Sequence, residues 1–386
     1  MNRANTGRYE TTSVAGETVQ AFVPAALPPN PPLDVSGELG RKHERALLAC
    51  GRLDGIAAVL PDPHLFLYSY VRREAVLSSQ IEGTQSSLSD LLLFELDEAP
   101  GAPFNDVIEV SNYVVAMNHG LERLQGGFPL STRLIREVHE KLMANGRGSE
   151  WQPGEYRTSQ NWIGGTRPGN AHFVPPPAHR VVDCMSALES FLHEQDIPVL
   201  LKAALAHVQF ETIHPFLDGN GRTGRLLISL ILHNEGVLRV PLLYLSLYLK
   251  KHRAEYYRLL DHVRSTGDWE QWLDFFLDGV YDTATGAVDT ANRLMELFAS
   301  DESTLRSSGV ALRNVYRVHT HMRARPFVTI NRIATELNVS YPTAAKALEV
   351  LGGTGIVREI TGKQRNRIYV YHKLLSILNE GAGGAA

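Results

Sequence analysis

The chain has 386 residues, of which 44% are hydrophobic and 21% are charged, and its formal net charge is −4. This composition is typical of globular proteins, and the length allows for about two or three domains. No apolar run approaches the ~20 residues that a membrane-spanning helix needs, and the first residues lack the apolar part of a secretory signal. Two cysteines, Cys50 and Cys184, provide neither a disulfide framework nor a metal cluster, so we expect a cytoplasmic protein without membrane contact.

The N-terminal part, residues 1–105, is predicted to be a helical region behind an extended start. Its first 40 residues show little periodicity, and a Pro-rich stretch predicts an extended segment that lies over the folded body. A helix is predicted over about 64–82. It carries Ser78 and Glu82 one turn apart on the same face, and the following Gly83 ends it.

Two amphipathic helices are predicted next, over residues 107–124 and 130–143. The segment 153–177 is different, because it is rich in Gly, Pro, Thr and aromatic residues and has no helical period. This pattern predicts a β-hairpin or a structured loop, with Gly164 and Gly165 at its tip.

The central stretch, residues 214–225, reads HPFLDGNGRTGR. Residues 200–213 before it are apolar at helical spacing, and residues 226–232 after it are apolar nearly all round. The Pro, Asn and Gly residues between the two runs prevent a continuous helix, so we expect a helix, a tight loop and a second helix. Gly219 and Gly221 would let the loop backbone approach a ligand closely.

The polar residues of this loop are those that nucleotide phosphate chemistry needs. Free N–H groups at the start of the second helix form an anion site, and Arg222 and Arg225 add two guanidinium groups suited to phosphate oxygens. Asp218 offers a hard carboxylate for Mg²⁺. His214, with an unperturbed pKa near 6.5, is suited to take a proton from a hydroxyl. The loop is not a Walker motif, because no Gly-Lys-Ser/Thr follows its glycines.

The C-terminal part, residues 301–380, is predicted to be a separate module. Within it, residues 311–377 contain 11 Lys and Arg against 3 Asp and Glu, a net of +8 in a chain whose total is −4. A short strand, two helices around a tight turn and two basic strands are expected, which resembles a winged helix-turn-helix domain. Such charge asymmetry suggests a nucleic-acid partner, and DNA binding through this module is one expectation.

The stretch 214–225 resembles the signature of the Fic family, His-Pro-Phe-x-Asp/Glu-Gly-Asn-Gly-Arg-x-x-Arg, with no position missing. The resemblance implies a mainly α fold, with a Fic helical core over residues 106–300 and a short β-hairpin flap over the active site. It also implies the activity of a protein adenylyltransferase, which moves AMP from ATP to a Tyr, Thr or Ser hydroxyl of a target protein, possibly of itself. ATP and Mg²⁺ would then be required.

The resemblance also implies roles for single residues. His214 would be the general base, Asp218 would hold Mg²⁺, and Asn220 would fix the loop and the α-phosphate. A Tyr pair in a later helix resembles a family position that lines the adenine pocket, although only one of two adjacent tyrosines can easily face a base. The nucleotide-binding residues expected in this way are Gly164, Gly165, Asp218, Gly219, Asn220, Gly221, Arg222, Thr223, Gly224, Arg225, Tyr256 and Tyr257.

Ser78 to Gly83 resembles the inhibitory motif of many Fic proteins, Ser/Thr-x-x-x-Glu-Gly/Asn. Glu82 would pair with Arg225 and remove the positive charge that should seat the γ-phosphate, so that ATP binds poorly. Because this motif precedes the core, the chain would belong to the class with an N-terminal inhibitory helix.

Several alternatives stay open at the level of sequence. The chain could remove AMP from a modified protein, with Glu82 aligning a water, or it could move another phosphate-linked group. A different class of function is a DNA-binding regulator whose Fic-like domain only senses nucleotide. The intact His214 argues against a pure sensor, because a sensor needs no base. The C-terminal module could also serve contacts between chains in a homodimer.

Overall fold

The computed structural model describes residues 2–14, 16–59, 63–96, 101–308 and 313–380, and this part of the chain is mainly helical, as predicted. It begins with an antiparallel hairpin of β1 (Gly7–Val14) and β2 (Glu17–Pro24), which pair in full register. These strands precede the Pro-rich stretch for which an extended segment was predicted, and their pairing was not predicted. The hairpin is supported by tertiary contacts, because the N–H of Phe22 donates to Val174 O at 2.9 Å.

Five helices follow the hairpin and form the first half of the helical body. The predicted helix over 64–82 is present and ends one residue before Glu82. No helix in the described ranges is long and apolar enough to span a bilayer. The five helices are α1 (Gly37–Val59), α2 (Pro63–Ile81), α3 (Leu88–Phe94), α4 (Phe104–Gln125) and α5 (Thr132–Leu142).

The second half of the body is built around two central helices, α7 and α8, which are buried along almost their whole length. The long helix that ends this half runs from Trp269 to Ser307 without a break, because no Pro interrupts it. The helices of this half are α6 (Val181–Leu192), α7 (Val199–Ile213), α8 (Asn220–Asn234), α9 (Ser246–Lys251), α10 (Arg253–Thr266) and α11 (Trp269–Ser307).

The C-terminal unit has the order helix, strand, helix, helix, strand, strand, helix, which agrees with the elements expected from sequence. Its three short strands form one antiparallel sheet in the order β3-β5-β4. Its classification as a winged helix-turn-helix stays a prediction. The elements are α12 (Arg313–Ala324), β3 (Phe327–Thr329), α13 (Ile330–Glu336), α14 (Tyr341–Gly353), β4 (Arg358–Glu359), β5 (Ile368–Val370) and α15 (His372–Asn379).

Helix α2 lies between this C-terminal unit and the central helices. It packs against α12 on one side and against α4, α8 and α9 on the other. Arg332 of the C-terminal unit donates to Glu95 O at 2.6 Å, and the Glu95 carboxylate in turn pairs with Arg72 of α2 at 2.8 Å. The predicted domain limits at 105/106 and 300/301 fall inside α4 and α11, and the domain division stays a prediction.

Candidate active site

The stretch 214–225 folds as the predicted helix, loop and helix. Helix α7 ends at Ile213, and His214 takes the left-handed conformation with φ 50° and ψ 59°. The loop ends at Gly219, also left-handed with φ 75°, and α8 begins at Asn220. A side chain at Gly219 would be strained by this backbone and would meet Met143 Sδ at 2.7 Å, so the glycine is required there.

The loop is held by its own side chains. Asn220 accepts a hydrogen bond from the Phe216 N–H at 2.9 Å and donates to Phe216 O at 2.8 Å, which closes the loop on both sides. The Thr223 hydroxyl donates to Gly219 O at 2.8 Å. The loop therefore has one fixed conformation before any ligand is present.

His214 lies in a buried and electropositive position at the end of α7. Burial lowers the pKa of its imidazole to about 3, and the positive charges of Arg157 and Arg264 act in the same direction. Its Nδ1 atom is buried and has no hydrogen-bond partner among the described residues. The imidazole is therefore neutral near neutral pH, and a neutral ring has one nitrogen that can take up a proton.

Arg225 is bound by both predicted residues of the α2 motif. Its Nε donates to Ser78 Oγ at 2.8 Å, and its Nη2 donates to Ser78 O at 3.0 Å and to Glu82 Oε1 at 2.7 Å. Burial alone would raise the pKa of Glu82, but the charge and hydrogen bond of Arg225 more than offset it, so the pKa lies below its usual range. Gly83, with φ 102°, turns the chain away directly after this contact.

Arg222, one turn earlier, has a different carboxylate partner, which sequence reasoning missed. Its Nη1 donates to Glu109 Oε2 of α4 at 3.0 Å, and both side chains are buried. Its Nη2 lies 3.9 Å from Asp218 Oδ1. Glu109 belongs to an ordinary amphipathic helix pattern, so nothing in the sequence marked it as a site residue.

These groups surround a cavity of about 190 Å³ at the N-terminus of α8. Gly221 has no side chain where Glu82 enters, since a Cβ there would lie 2.3 Å from Glu82 Oε1. The cavity carries three carboxylates and two arginines at its wall, next to the amides that open the helix. Its lining residues are Glu82, Glu109, Arg147, His214, Leu217, Asp218, Gly219, Asn220, Gly221 and Arg222.

Asp218 is the residue of this wall that is suited to a divalent cation. Its side chain is half exposed toward the cavity, and its Oδ1 accepts from the Gly219 N–H at 2.7 Å. The described ranges contain no group of three or more His, Cys, Asp or Glu that could hold a metal by themselves. One carboxylate together with substrate phosphates is a usual ligand set for Mg²⁺, so the donor set fits a metal that arrives with its nucleotide.

His139 of α5 is a second residue that the sequence analysis missed. Its Nδ1 accepts from the Gly154 N–H at 2.9 Å, so its Nε2 carries the proton and donates to Asp218 O at 2.9 Å. The ring stacks on Phe216 with 3.6 Å between centroids, and burial lowers the pKa of His139 to about 4. The neutral imidazole of His139 thus stabilises the loop through its contacts with Asp218 O and the Phe216 ring. Its place on the buried face of an amphipathic helix was the only available signal.

The predicted flap is present but is not a regular β-hairpin. Within residues 153–177 the described pairing is a single antiparallel bridge, in which Ile163 and Phe173 exchange hydrogen bonds of 2.8 and 3.1 Å. The prolines of this segment lack N–H donors, which prevents a longer ladder. Gly164 and Gly165 have φ of 68° and 73° at the turn, as expected for a tip, and they lie outside the cavity lining.

The two tyrosines of α10 face different environments. The Tyr256 hydroxyl lies 2.8 Å from His207 Nε2 in the protein core, and the Tyr256 ring packs on Trp272. Tyr256 therefore cannot stack on a base unless the core repacks. Tyr257 is 37% exposed and lies beside Arg253. Neither lines the cavity in this structure. Tyr257 is thus the tyrosine of the pair that is open to a ligand.

Comparison with known proteins identifies the same family that the stretch 214–225 resembles. Residues 41–122 match the family model "Fic/DOC family N-terminal", and residues 129–232 match "Fic/DOC family". Among solved structures, a Fic family protein from Desulfovibrio desulfuricans G20 superimposes with a TM-score of 0.57 at 21% identity. The match covers 89% of this chain and 98% of that protein, which shows a common fold.

Three curated relatives are named protein adenylyltransferases. The Drosophila erecta protein is 29% identical over 181 residues, 46% of this chain and 33% of its own length. The Caenorhabditis elegans protein fic-1 is 37% identical over 141 residues (36% and 25%), and the Aedes aegypti protein 34% over 148 residues (37% and 26%). This chain thus spans about a third or less of their length. The chain carries a Fic domain together with the N-terminal region of that family.

Proposed function

We propose that this protein is an adenylyltransferase that transfers AMP from ATP to a Tyr, Thr or Ser hydroxyl of a target protein or of itself. The observation that carries the proposal is the cavity at the start of α8, where the neutral imidazole of His214, the Asp218 carboxylate and the first amides of the helix, those of Asn220 and Gly221, meet. The names of the three curated relatives support the same activity.

In the proposed reaction His214 takes the proton of the attacking hydroxyl. The hydroxyl oxygen forms a bond to the α-phosphorus of ATP, and the bond from that phosphorus to the bridging oxygen breaks, so that pyrophosphate leaves. The low pKa of His214 belongs to the chain without nucleotide. A triphosphate beside the ring would raise the pKa by stabilising the imidazolium, which makes the base stronger when substrate is bound.

Three features of the loop would support this step. The N-terminal amides of α8 would receive phosphate oxygens, and Arg222 at the cavity wall would face the negative charge that moves to pyrophosphate. Asp218 would hold Mg²⁺, which when bound neutralises phosphate charge. Asn220 would keep the loop closed around the nucleotide through its two bonds to Phe216.

Glu82 is proposed to keep the enzyme at low activity. It occupies the cavity wall and pairs with Arg225, so the guanidinium group is not available to a phosphate. The space left in the cavity is about 190 Å³, and the Glu82 carboxylate stands at its wall. Displacement of Glu82 would enlarge the cavity and free a positive charge in the same movement.

The test is to incubate the purified protein with ATP labelled at the α-phosphate. Glu82→Gly is expected to raise labelling about ten- to a hundredfold, since a charge-assisted pair contributes on the order of 1.5–3 kcal/mol. Glu82→Gln, which keeps the shape and removes the charge, separates the electrostatic part from the steric part. Adding His214→Ala to Glu82→Gly should abolish labelling. Absence of label on any protein, this one included, in both the wild-type and Glu82→Gly samples would exclude the proposal.

Removal of AMP is a second candidate, favoured by the position of the Glu82 carboxylate at the phosphate cavity, where it would hold a water. Protein labelled by the Glu82→Gly enzyme is the substrate for the test. Release of labelled AMP by wild-type protein but not by Glu82→Gly would support this reaction. Equal and slow release by both would leave transfer as the only activity.

The C-terminal unit is proposed to be a winged helix-turn-helix that binds DNA phosphates. Its exposed Lys363, Arg365 and Arg367 lie between β4 and β5, and the order of elements supports this classification. Lys346 of α14 pairs with Glu349 at 3.0 Å, so base reading by this helix would be sparse. Duplex DNA should bind with an affinity that falls as salt rises, and His214→Ala should not change it. Binding that is absent at low salt would exclude this part of the proposal.

A further inference from the structure

Arg157 is buried in an unusual way, next to the proposed base. It lies in the flap segment 153–177, before the bridge of Ile163 and Phe173, is 2% exposed, and has no carboxylate partner within the described ranges. Its guanidinium group donates only to main-chain carbonyls. The acceptors are His214 O at 2.9 Å, Pro176 O at 2.5 Å, Ser159 O at 3.2 Å and Ile213 O at 3.4 Å.

These four carbonyls belong to two parts of the site. Ile213 and His214 are the last residues of α7, where helix carbonyls lack partners within the helix and carry the negative end of its dipole. Ser159 and Pro176 lie on the two sides of the flap, before and after its bridge. The N–H of Arg157 adds a fifth contact, to Pro215 O at 2.9 Å. One side chain thus joins the end of the base-bearing helix to both ends of the flap.

Burying the charge of Arg157 in this way costs folding free energy. A buried charge without a counter-ion pays a desolvation penalty, and burial lowers the pKa of Arg157 to about 10. His214 is one of the few described residues other than glycine with a positive φ, a conformation that L-residues adopt at a cost. Hydrogen bonds from a rigid guanidinium to the carbonyls of Ile213 and His214 hold the chain in this conformation, and neither Lys nor Gln has enough donors to replace them.

We infer that Arg157 is a positioning residue, which fixes the main chain of His214 and the base of the flap in one geometry for the transfer reaction. The inference rests on the proposed function for its kinetic meaning, and on the structure alone for the contacts. Arg157 lies outside the loop of residues 214–225. It acts on the His214 imidazole through the main chain and touches no substrate.

The charge of Arg157 also acts on His214, together with other groups around the ring. Arg264 of α10 has the same sign, whereas Glu82 from the end of α2 has the opposite sign and the Glu211 backbone accepts a hydrogen bond from the ring. Position and charge can therefore be separated by two substitutions. Arg157→Lys keeps the positive charge and loses the fork, and Arg157→Met loses both.

The experiment is done in the full chain with Glu82→Gly, so that activity is high enough to measure. Arg157→Lys is expected to lower kcat about ten- to a hundredfold with KM for ATP within about twofold, because misplacing a base costs the chemical step rather than binding. The pH at which kcat/KM falls on acidification should not change in Arg157→Lys, because the positive charge is kept. Arg157→Met should lower kcat as well and move the acid limb to higher pH by roughly one unit, because a positive charge that depresses the pKa of His214 is gone.

A readout that needs no activity keeps this inference separate from the proposed function. The Cε1–H resonance of His214, assigned by its loss in His214→Ala, reports ring environment and titration directly. It should shift in both Arg157 variants and titrate at higher pH in Arg157→Met. A protein that fails to label any target but shows these changes would refute the transferase proposal and retain the positioning role.

The matched control is Arg136→Lys. Arg136 also donates to a carbonyl of this segment, Gly154 O at 2.7 Å, but its side chain is partly exposed, and its hydrogen bonds to described residues reach only Gly154 and Glu155, before the part of the flap that Arg157 joins to the end of α7. Its kcat and the His214 resonance should not change. If folded Arg157→Lys keeps kcat within about twofold of its parent, or leaves the His214 resonance in place, the inference is wrong. Arg157→Lys decides the question even where Arg157→Met does not fold.

Discussion

Arg222 and Arg225 stand one turn apart on α8, and each is paired with a carboxylate from another part of the fold. Arg225 meets Glu82 at 2.7 Å, on the turn that follows α2. Arg222 meets Glu109 at 3.0 Å, within the body of α4. The carboxylates differ in freedom, because the Glu82 side chain is 36% exposed and the Glu109 side chain 6% exposed.

This difference separates a contact that can open from one that is part of the fold. Glu82 can move away from Arg225 if only the turn next to Gly83 changes conformation. Water can then solvate the Glu82 carboxylate in place of the guanidinium group. Glu109 cannot leave Arg222 without moving α4, which packs against α2, α5 and α8. Two salt bridges of similar length can thus have different consequences for function and stability, and distance alone does not distinguish them.

The largest expected effect comes from the fixed pair. Glu109→Ala leaves the guanidinium group of Arg222 buried without its acceptor and partner, and we expect the free energy of unfolding to fall by about 3 kcal/mol. Glu82→Gln, at the partly exposed site, should cost about 1 kcal/mol or less. Urea denaturation of the two variants measures the difference. Activity should fall in Glu109→Ala and rise in Glu82→Gln, so equal losses of stability, or a gain of activity in both, would contradict the distinction.

The pH dependence of the two pairs should have opposite signs. The pKa of Glu82 is lowered in the folded protein, so the stability from its pair is present above about pH 4.5 and is lost as the pH falls through the folded pKa. The melting temperatures of wild type and Glu82→Gln should therefore differ at pH 7 and converge below about pH 4.5.

For Glu109, burial raises the pKa, and Asp106 and Asp218 add to this effect against Arg222 and Arg147. Proton binding by Glu109 then adds stability that is fully present below about pH 4.5 and is lost as the pH rises through the folded pKa. Because the amide of Glu109→Gln resembles the protonated acid, wild type should gain stability relative to this variant as the pH falls from 7 to about 4.5, whereas it should lose stability relative to Glu82→Gln. Parallel behaviour of the two variants between pH 7 and 4 would contradict this contrast.

The smallest effect is expected at Arg147 on the rim of the cavity. Its side chain is 67% exposed and lies 3.6 Å from both Asp106 and Glu109, so Arg147→Ala should change stability by no more than about 0.5 kcal/mol. ATP affinity of the Glu82→Gly protein should fall severalfold, because a positive charge leaves the cavity wall. Calorimetric titration with ATP at two salt concentrations measures it, and a loss that does not shrink at high salt would argue against an electrostatic cause.

The parts of the site that sequence predicted are local in the chain. The loop of residues 214–225 was recognisable because its base, carboxylate, glycines and arginines lie within one short segment, and the turn at Ser78 and Glu82 was recognisable by its spacing. Glu109 and His139 were not predicted, because each reaches the loop from an amphipathic helix about 80 or more positions away. Only packing brings them to the loop.

The same reason explains the misjudged elements of the fold. The N-terminal hairpin has weak alternation of its own and depends on contacts such as that of Phe22 with Val174. The flap segment was expected to form a β-hairpin or a structured loop, and its prolines restrict its pairing to one bridge. Tyr256 and Tyr257 look equivalent in sequence, and the hydrogen bond of Tyr256 to the buried His207 distinguishes them.

Position 221 has a consequence of its own. Hydrogen is the only substituent that leaves space for the Glu82 oxygen, since a methyl group would sit 2.3 Å from it. The residue that opens the backbone to a phosphate therefore also admits the carboxylate that competes with it. A side chain at position 221 would therefore affect both the proposed phosphate site and the contact with Glu82. The same glycine serves the proposed substrate and its proposed inhibitor.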